Sequence, residues 1–592
     1  MSILQELRRR KVFRLAALYI VGAWVVLQVA DLAFESWDIS SSALRYVWFS
    51  AIFGFPIALI FGWRYDITTQ GIVRTPPTDA ITQTDLSLRR SDYVILALLM
   101  IVAIGVIYPV TIQISNSRSA QPAEITRRDI EPNSIAVLPF DNLSGDPDQA
   151  YFVSGMQDAL IAGLSRISAL RVTSKTSTSR FADTVESLPI IAEQLGVAKL
   201  IEGSIFRVGS HVRITINLVD ARLDEHIWSE TFENEIKDVL VLQSNVAQAI
   251  AQQVEVTITP AEQAHLRNVK SVNPEAYEVF LKARLMYLES SNDPEKAIET
   301  AKRVIELDPG FAPGYAFLSD LYGYLILMHH STSSDVHLQA RILAQKAIEL
   351  DPENPDARFA LARVHYRFEW DWAAAEAEFK RGLELDPNSA SGLNAYGAFR
   401  VLIYKDCDEG LAMLEAARDR DPFNPGKHLD LGLFNFSCRN MDESIKHLEQ
   451  TIEMVPELYW ARLTIALAHF LDGSIKLAAE GCDSLIDEVG QHFESGLLGS
   501  CAWIYFSAGQ EDLAQQILER LRDPPAGNLV DPVVLSWACF GLGDLECGFH
   551  QLEEALRQQS SLLIFMRTAP VYDPFRKDPR FLAIVNKMNF PP

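Results

Sequence analysis

The hydrophobic pattern of the chain begins with three long apolar stretches. They cover residues about 15–34, 44–63 and 93–112, and the last, YVILALLMIVAIGVIYPVTI, contains no charged residue. A helix rises about 1.5 Å per residue, so twenty residues span roughly 30 Å, which is the thickness of the hydrocarbon core of a bilayer. The pattern therefore predicts three transmembrane helices, which form a membrane module over residues 1–114.

Charged residues flank these stretches unevenly. Residues 1–14 hold five basic residues and one acidic residue, and residues 64–92 hold four arginines, whereas the loop between the first two stretches carries Glu35 and Asp38 against Arg45. Basic loops tend to stay on the cytoplasmic side of a membrane. We therefore expect a multi-pass protein of the bacterial cytoplasmic (inner) membrane, with its N-terminus in the cytoplasm and its soluble domains in the periplasm. The lipid bilayer is then one partner of the chain.

After a polar linker at residues 115–132, the pattern changes to that of an α/β domain. Ser134–Phe140 is a β-branched apolar run closed by a proline, as in a buried strand. Amphipathic stretches and further strand-like runs follow, and Gly209-Ser210 separates two alternating runs in the manner of a hairpin turn. We expect one α/β domain over residues 133–256.

Two segments of this domain carry strand, turn and tryptophan-containing motifs in a specific order. They read SIAVLPFDNLSGDPDQAYFVSGMQDAL and AEQLGVAKLIEGSIFRVGSHVRITINLVDARLDEHIWSETFE. These motifs resemble the TolB amino-terminal-like domain, which is related to the FlgO-type domain. The resemblance implies a small envelope-associated α/β domain without catalysis of its own, of the kind found in bacterial membrane-anchored proteins with tetratricopeptide (TPR) repeats. Relatives can also carry a winged-helix or a nucleotide cyclase domain, and this sequence shows neither.

The rest of the chain repeats one phrase at a regular spacing. Leu-Asp-Pro or a close variant ends at five prolines, which are Pro309, Pro352, Pro387, Pro422 and Pro456. The spacings of 43, 35, 35 and 34 residues indicate TPR helix pairs, with about nine residues inserted before the second proline. Small residues lie twelve positions before each proline, where the two helices of a pair cross; they are Ala297, Ala340, Ala375, Gly410 and Ser444. We expect an all-α solenoid of about seven to eight helix pairs with a C-terminal cap over residues 273–592.

Stacked helix pairs form a concave groove that is lined by the first helix of each pair. Counting from the packing positions predicts seven groove-facing residues, which are Asp320, Tyr324, Arg363, Tyr366, Arg367, Asn394 and Arg400. Arg363 and Arg367 lie four apart on one helix face, and with Arg400 of the next repeat they form a basic spot within an acidic solenoid. Our hypothesis is that this spot receives an acidic or C-terminal peptide segment. The alternative is that the arginines pair with neighbouring acids.

The negative net charge and the absence of known catalytic motifs argue against nucleic-acid binding and against catalysis. The net charge is -24, and residues 271–592 hold 29 basic and 49 acidic residues, so a nucleic-acid partner is not expected. The sequence contains no P-loop, H-E-x-x-H, C-x-x-C or Rossmann turn, and we expect no catalytic, cofactor or metal site. The carboxylates of residues 141–148 are expected to form a turn that caps the next helix rather than a calcium loop. His329-His330 lacks an obvious third metal ligand.

All six cysteines lie in the repeat region; they are Cys407, Cys438, Cys482, Cys501, Cys539 and Cys547. Cysteines in an oxidising compartment can pair, and the sequence does not give the connectivity. The alternative is that they are small core residues at helix crossings.

Together these features predict a multidomain fold, with three transmembrane helices, a small α/β domain and a TPR solenoid. The expected function is that of a membrane-anchored, non-catalytic scaffold, which binds proteins or peptides through the TPR groove and the α/β domain. The alternative is a signal-transducing envelope sensor that passes a ligand signal to a cytoplasmic partner. The sequence leaves the oligomeric state open.

Overall fold

The computed structural model describes most of the chain after residue 129. From residue 130 onward its gaps are residues 147–148, 183, 268–270, 290–293, 330–333, 490–492, 527 and 592. Before residue 130 it describes Phe55, residues 65–68 and residues 71–74. The chain divides into two compact units, Met1–Glu124 and Ile125–Pro592.

The predicted membrane module needs correction. In the first unit, the strands Tyr65–Thr68 (β1) and Gly71–Arg74 (β2) pair antiparallel. Among the described residues, no helix is long and apolar enough to cross a bilayer. The prediction of three transmembrane helices is therefore wrong for the fold that the structure describes, and so is the multi-pass inner-membrane location derived from it. Apolar length suggested the spans, but a span also requires a continuous helix in which every backbone group is bonded.

The predicted spans themselves, residues 15–34, 44–63 and 93–112, lie outside the described residues except for Phe55. The same holds for most of the predicted linker at residues 115–132.

A six-stranded mixed sheet organises the first part of the second unit. Its strands are β3 (Ser134–Val137), β4 (Asp141–Asn142), β5 (Arg171–Val172), β6 (Lys199–Val208), β7 (His211–Asp220) and β8 (Glu225–Glu235). The order is β5-β3-β6-β7-β8, and β4 pairs with β6. β3 is parallel to its neighbours, whereas β6, β7 and β8 form an antiparallel meander. The hairpin predicted between β6 and β7 is confirmed, and Gly209 adopts a φ of 58° there, which glycine tolerates without steric cost.

Helices pack on both faces of β3 and β6. They are α1 (Ala150–Ser165), α2 (Lys175–Ser179), α3 (Leu188–Leu195), α4 (Val239–Gln253) and α5 (Pro260–Arg267). On one face, Leu164 of α1 and Ile250 of α4 share a core with Ile216 of β7. On the other face, Ile191 of α3 packs with Leu200 of β6. The sequence pattern did not predict β8, because its side chains are largely exposed on both faces.

Eight helix pairs follow in the described part of the chain. They are α6 (Pro274–Glu289) with α7 (Pro294–Leu307), α8 (Ala312–His329) with α9 (Ser334–Leu350), α10 (Pro355–Val364) with α11 (Trp372–Leu385), α12 (Ala390–Phe399) with α13 (Cys407–Arg420), α14 (Pro425–Ser437) with α15 (Met441–Met454), α16 (Tyr459–Leu471) with α17 (Ile475–Val489), α18 (Ser495–Ser507) with α19 (Glu511–Arg522), and α20 (Pro532–Gly541) with α21 (Leu545–Arg557). Consecutive pairs pack on one another, so the all-α solenoid expected from the repeat period is confirmed.

The recurring proline phrase marks where the first helix of a repeat starts. Asn354, Ser389 and Asn424 each lie two residues after one of the prolines, and each side chain accepts a backbone N–H from the helix that follows. An N-cap of this kind contributes about 1 kcal/mol to stability. The spacing between the prolines therefore equals the spacing between the capped starts of these helices.

The chain ends by packing back on the middle of the solenoid. The last helix, α22 (Pro579–Lys587), buries Phe581. The indole N–H of Trp372, at the start of α11, donates to the carbonyl of Met588 at 3.0 Å, and its ring stacks on that of Phe590 with centroids 5.0 Å apart. The end of the chain thereby contacts the third repeat.

The sheet domain packs against the turns between repeats. Asp386 Oδ2 accepts a hydrogen bond from the hydroxyl of Ser165 at 3.1 Å, and Asn388 Nδ2 donates to the Ser165 carbonyl at 3.1 Å. One repeat later, Asp421 Oδ1 accepts from the hydroxyl of Ser177 at 2.7 Å. The aspartates of the Leu-Asp-Pro phrase thus also hold the α/β domain, which places that domain along one edge of the solenoid.

The partly buried Asp386 makes this contact sensitive to pH. Burial raises its pKa to about 6, although Arg166 and the Ser165 hydroxyl oppose the change. In the unfolded chain the carboxyl ionises near pH 4, so the folded protein should lose stability as the pH rises from about 4 to about 6 and change little above that. Asp386→Asn is expected to raise the thermal midpoint at pH 8 by a few degrees and to flatten the profile. Asp351→Asn, at the equivalent position one repeat earlier, is the control and should keep the parent profile.

In the structure the six cysteines are paired in disulfides and are not free thiols. The disulfides are Cys407–Cys438, Cys482–Cys501 and Cys539–Cys547. The first joins the fourth repeat to the fifth, the second joins the sixth to the seventh, and the third lies within the eighth helix pair. Several of the paired cysteines are also fully buried at helix contacts.

Candidate functional site

Two positions of the first helices, which the repeat pattern predicts to face the groove, form a strip from the second repeat to the third. Asp320 of α8 and Arg363 of α10 lie eleven residues after the prolines of their repeats, and Tyr324 and Arg367 lie fifteen residues after them. Equivalent positions of stacked repeats face the same way. The structure brings the first two together, because a guanidinium nitrogen of Arg363 forms an ion pair with Asp320 Oδ1. The strip therefore joins the second repeat to the third.

The Asp320–Arg363 ion pair is only partly open to solvent. The side chains of Asp320 and Arg363 are 35% and 22% exposed. Burial raises the pKa of Asp320 above its ordinary value, although Arg363 opposes the change. Arg363 is thus largely neutralised within the protein and is not a free cation of the groove.

Arg367 stands in a different environment. It lies in a π-helical turn, His365–Glu369, that extends α10. Its Nε–H donates to the hydroxyl of Tyr366 at 2.8 Å, and its guanidinium lies 5.4 Å from the centroid of that ring. Within the described residues no carboxylate forms an ion pair with Arg367. Tyr366 itself is 2% exposed and meets Phe399 edge-on, so it is a core residue that supports Arg367 and does not face the groove.

A second charged group lies two repeats further on. Asn394 Nδ2 donates to Asp430 Oδ2 at 2.6 Å, while Asn394 Oδ1 is buried and has no hydrogen-bond partner among the described residues. Lys427 precedes Asp430 by three residues in α14, and it makes no ion pair with a described carboxylate. Burial lowers the pKa of the Lys427 ammonium, which Asp430 opposes, and burial raises the pKa of Asp430.

The two groups act on each other electrostatically. The charge of Arg367 lowers the pKa of Asp430, and the charge of Arg363 lowers the pKa of Lys427. We call the combined set the groove cluster, and its members are Asp320, Arg363, Arg367, Asn394, Lys427 and Asp430. Its two cations, Arg367 and Lys427, form no ion pair with a described carboxylate, and its two acids are Asp320 and Asp430.

The remaining predicted residues lie outside the groove cluster. The guanidinium of Arg400 binds Glu376 at 3.5 Å and Glu409 at 2.5 Å, and it also binds Asp406. Tyr324 meets the ring of Tyr287 edge-on with centroids 5.5 Å apart. The alternative of pairing with neighbouring acids therefore describes Arg363 and Arg400, and the predicted basic spot is reduced to Arg367.

The sequence also raised two possible metal sites, which are the carboxylate-rich loop at residues 141–148 and His329-His330. In the carboxylate-rich loop, Asn142 Oδ1 accepts from the backbone N–H of Ser144 at 3.0 Å, and the N–H of Gln149 donates to the Asp146 carbonyl at 3.1 Å. No described side chain caps the start of α1, so the predicted cap is not confirmed. Across the part of the chain that the structure describes, no three His, Cys, Asp or Glu side chains are close enough to hold a metal ion. His330 lies outside that part.

Comparison with known families assigns two parts of the second unit. A family model described as a tetratricopeptide repeat matches residues 338–390. The repeats are of the tetratricopeptide type. A second family model, described as the second domain of HilA/YgeH-like transcriptional regulators, matches residues 131–251. The sheet domain thus matches a family description different from the TolB-type one that its motifs suggested.

Individual relatives match shorter parts of the chain. A putative adenylate cyclase 3 of Rhizobium meliloti (strain 1021) is 33% identical over 231 residues, which is 39% of this chain and 39% of that protein. The type IV pilus assembly protein PilF of Pseudomonas aeruginosa is 26% identical over 162 residues, which is 27% of this chain and 64% of that protein. A solved structure of Pseudomonas aeruginosa PilF is 21% identical, with a TM-score of 0.29, covering 39% of this chain and 98% of that chain. The chain spans less than two thirds of either curated relative.

Proposed function

We propose that this protein is a non-catalytic scaffold whose TPR groove binds an acidic, extended peptide segment of a partner protein. The observation that carries the proposal is the pair of cations of the groove cluster, Arg367 and Lys427, neither of which forms an ion pair with a carboxylate of the described residues. A half-buried cation without a counter-ion is costly, and a carboxylate of the peptide relieves that cost through a charge-assisted hydrogen bond.

The proposal assigns a separate role to each part of the chain. Residues 115–132 act as a linker, residues 133–256 as a recognition domain of the TolB amino-terminal-like class, and residues 273–592 as the TPR solenoid with its cap. The quoted motifs and the contact of the sheet domain with the repeat turns support this division. The net charge of -24 supports a protein partner over a nucleic acid.

Binding of a defined peptide to single variants tests the proposal. The probe is a fluorescein-labelled ten-residue peptide of alternating glutamate and alanine with a free C-terminal carboxylate, measured by fluorescence anisotropy with the full chain. Arg367→Ala and Lys427→Ala are each expected to weaken binding by about tenfold or more, because each removes a desolvated charge pair. Arg381→Ala, which removes an exposed arginine paired with Glu384 on α11, is the control and should leave the affinity within about twofold.

Two results contradict the proposal. One is equal loss of affinity in the Arg381→Ala variant, which would mean that the peptide senses only the overall charge. The other is full affinity of both groove variants, with their folding verified by circular dichroism. A peptide with an amidated C-terminus distinguishes recognition of the terminal carboxylate from recognition of acidic side chains.

A further inference from the structure

The strand β8 presents a long free edge. It is the last strand of the sheet and eleven residues in length, and among the described residues it pairs with β7 alone. Among the described residues, the backbone of residues 225–234 makes no hydrogen bonds to other backbone groups beyond this ladder. An exposed edge of this length is a template for an added strand.

The charges along this edge are acidic. Glu225, Glu230, Glu233 and Glu235 all lie on β8. Glu233 pairs with Arg213 and Glu235 pairs with Lys237, whereas Glu225 and Glu230 make no ion pair with a described residue. Thus one of the carboxylates without an ion pair lies at the start of the strand and the other at its middle.

An apolar ledge lies along the core-facing side of the same edge. Trp228 and Phe232 are only half-buried, and their rings lie 6.2 Å apart at the margin of the core. Both face the same side as Glu230, because side chains alternate along a strand. A strand added beside β8 could complete the core against these rings with its apolar side chains.

We propose that β8 docks an extended segment of a partner protein in which every second residue is basic or apolar in turn, so that both kinds lie on the same face as Trp228, Glu230 and Phe232. The apolar residues cover Trp228 and Phe232, the basic residues pair with the free carboxylates, and the backbone continues the sheet. A second copy of this chain does not fit the edge. In the two-fold antiparallel register centred on Glu230, that residue would oppose its own copy and Glu225 would oppose Glu235, and like charges directly opposite are destabilising. This surface is separate from the groove cluster, so the two sites can hold two different segments.

A peptide pair tests strand addition on the full chain. The probe, called the lysine–valine peptide, is a labelled ten-residue peptide that repeats Lys-Thr-Val-Thr. Its control, the lysine–proline peptide, repeats Lys-Thr-Pro-Thr, which keeps the charge but cannot join a sheet. Glu225→Lys with Glu230→Lys is expected to weaken binding of the lysine–valine peptide by tenfold or more. Glu449→Lys with Glu453→Lys, two exposed acids of α15, changes the net charge equally and should keep the affinity within about twofold.

Amide hydrogen exchange locates the bound peptide. The expected result is slower exchange confined to residues 225–235 when the lysine–valine peptide is present. Equal binding of the lysine–proline peptide, or protection that falls in the solenoid, would overturn the proposal. Protection of β8 that grows with protein concentration in the absence of peptide would identify a second copy as the occupant, and it would overturn the proposal as well.

Discussion

Removing residues 579–592 is expected to destabilise the repeat array by on the order of 6 kcal/mol. This segment contains α22 and the residues after it, and it buries Phe581, Ile584 and Met588. Each such side chain contributes about 2 kcal/mol when it leaves water. The deletion also exposes the indole of Trp372, which loses its hydrogen bond to the Met588 carbonyl and its stacking on Phe590. Because Trp372 begins the second helix of the third repeat, the loss of stability should extend to the middle of the solenoid.

Urea unfolding followed by tryptophan fluorescence measures this effect. Two point variants in α22 provide a matched comparison. Phe581→Ala, at a residue that is 3% exposed, should cost about 3–5 kcal/mol, and Leu582→Ala, at a residue that is 45% exposed, should cost less than about 0.5 kcal/mol. An unchanged unfolding curve for the deletion would mean that the end of the chain does not pack on the third repeat.

Asp421→Ala is expected to cost about 3 kcal/mol and to loosen the α/β domain from the solenoid. Asp421 is 3% exposed, and its two oxygens accept from the Ser177 hydroxyl and the Asn424 side chain, each at 2.7 Å. Hydrogen bonds to a charged group contribute about 1.5–3 kcal/mol, and the loss leaves the buried Ser177 hydroxyl with fewer partners.

Limited proteolysis together with urea unfolding detects this loosening. The variant should be cut faster at the boundary between the two domains than the parent protein is. Asp351→Ala is the matched control, because Asp351 holds the same place two repeats earlier and its carboxylate bonds to the N–H of Glu353 in its own turn. It should cost less than about 1 kcal/mol. Equal costs for the two variants would show that Asp421 acts only within its turn.

The repeat array could be predicted from the sequence because its signals are local. The recurring proline phrase coincides with capped helix starts at Asn354, Ser389 and Asn424, and small residues such as Gly410 allow two helices to cross closely. The edge strand β8 could not be predicted from alternation, since neither of its faces is fully buried. The three transmembrane helices were predicted from apolar length alone, which does not establish a continuous helix.

The binding groove stays a prediction, and the sequence did not show how its predicted residues pair with one another. Sequence position places Arg363 and Arg367 on one helix face, but it does not show that Asp320 neutralises the first and leaves the second free. It also does not show that Tyr366, next to Arg367, is buried in the core. Lys427 was missed because the prediction stopped one repeat earlier. The repeat period contains the signal, since it places the first helix of the fifth repeat in the same groove.

Charge reversal at Arg367 is the most direct test of acidic peptide binding in the TPR groove. Arg367→Glu should weaken binding of the acidic probe peptide by about a hundredfold, and one lysine substituted into that peptide should restore most of the lost affinity for this variant while weakening binding to the parent protein. That reciprocal pattern is the result that the account predicts. The account would be contradicted if the lysine-substituted peptide bound the Arg367→Glu variant no better than the acidic peptide does, whichever position of the peptide carried the lysine.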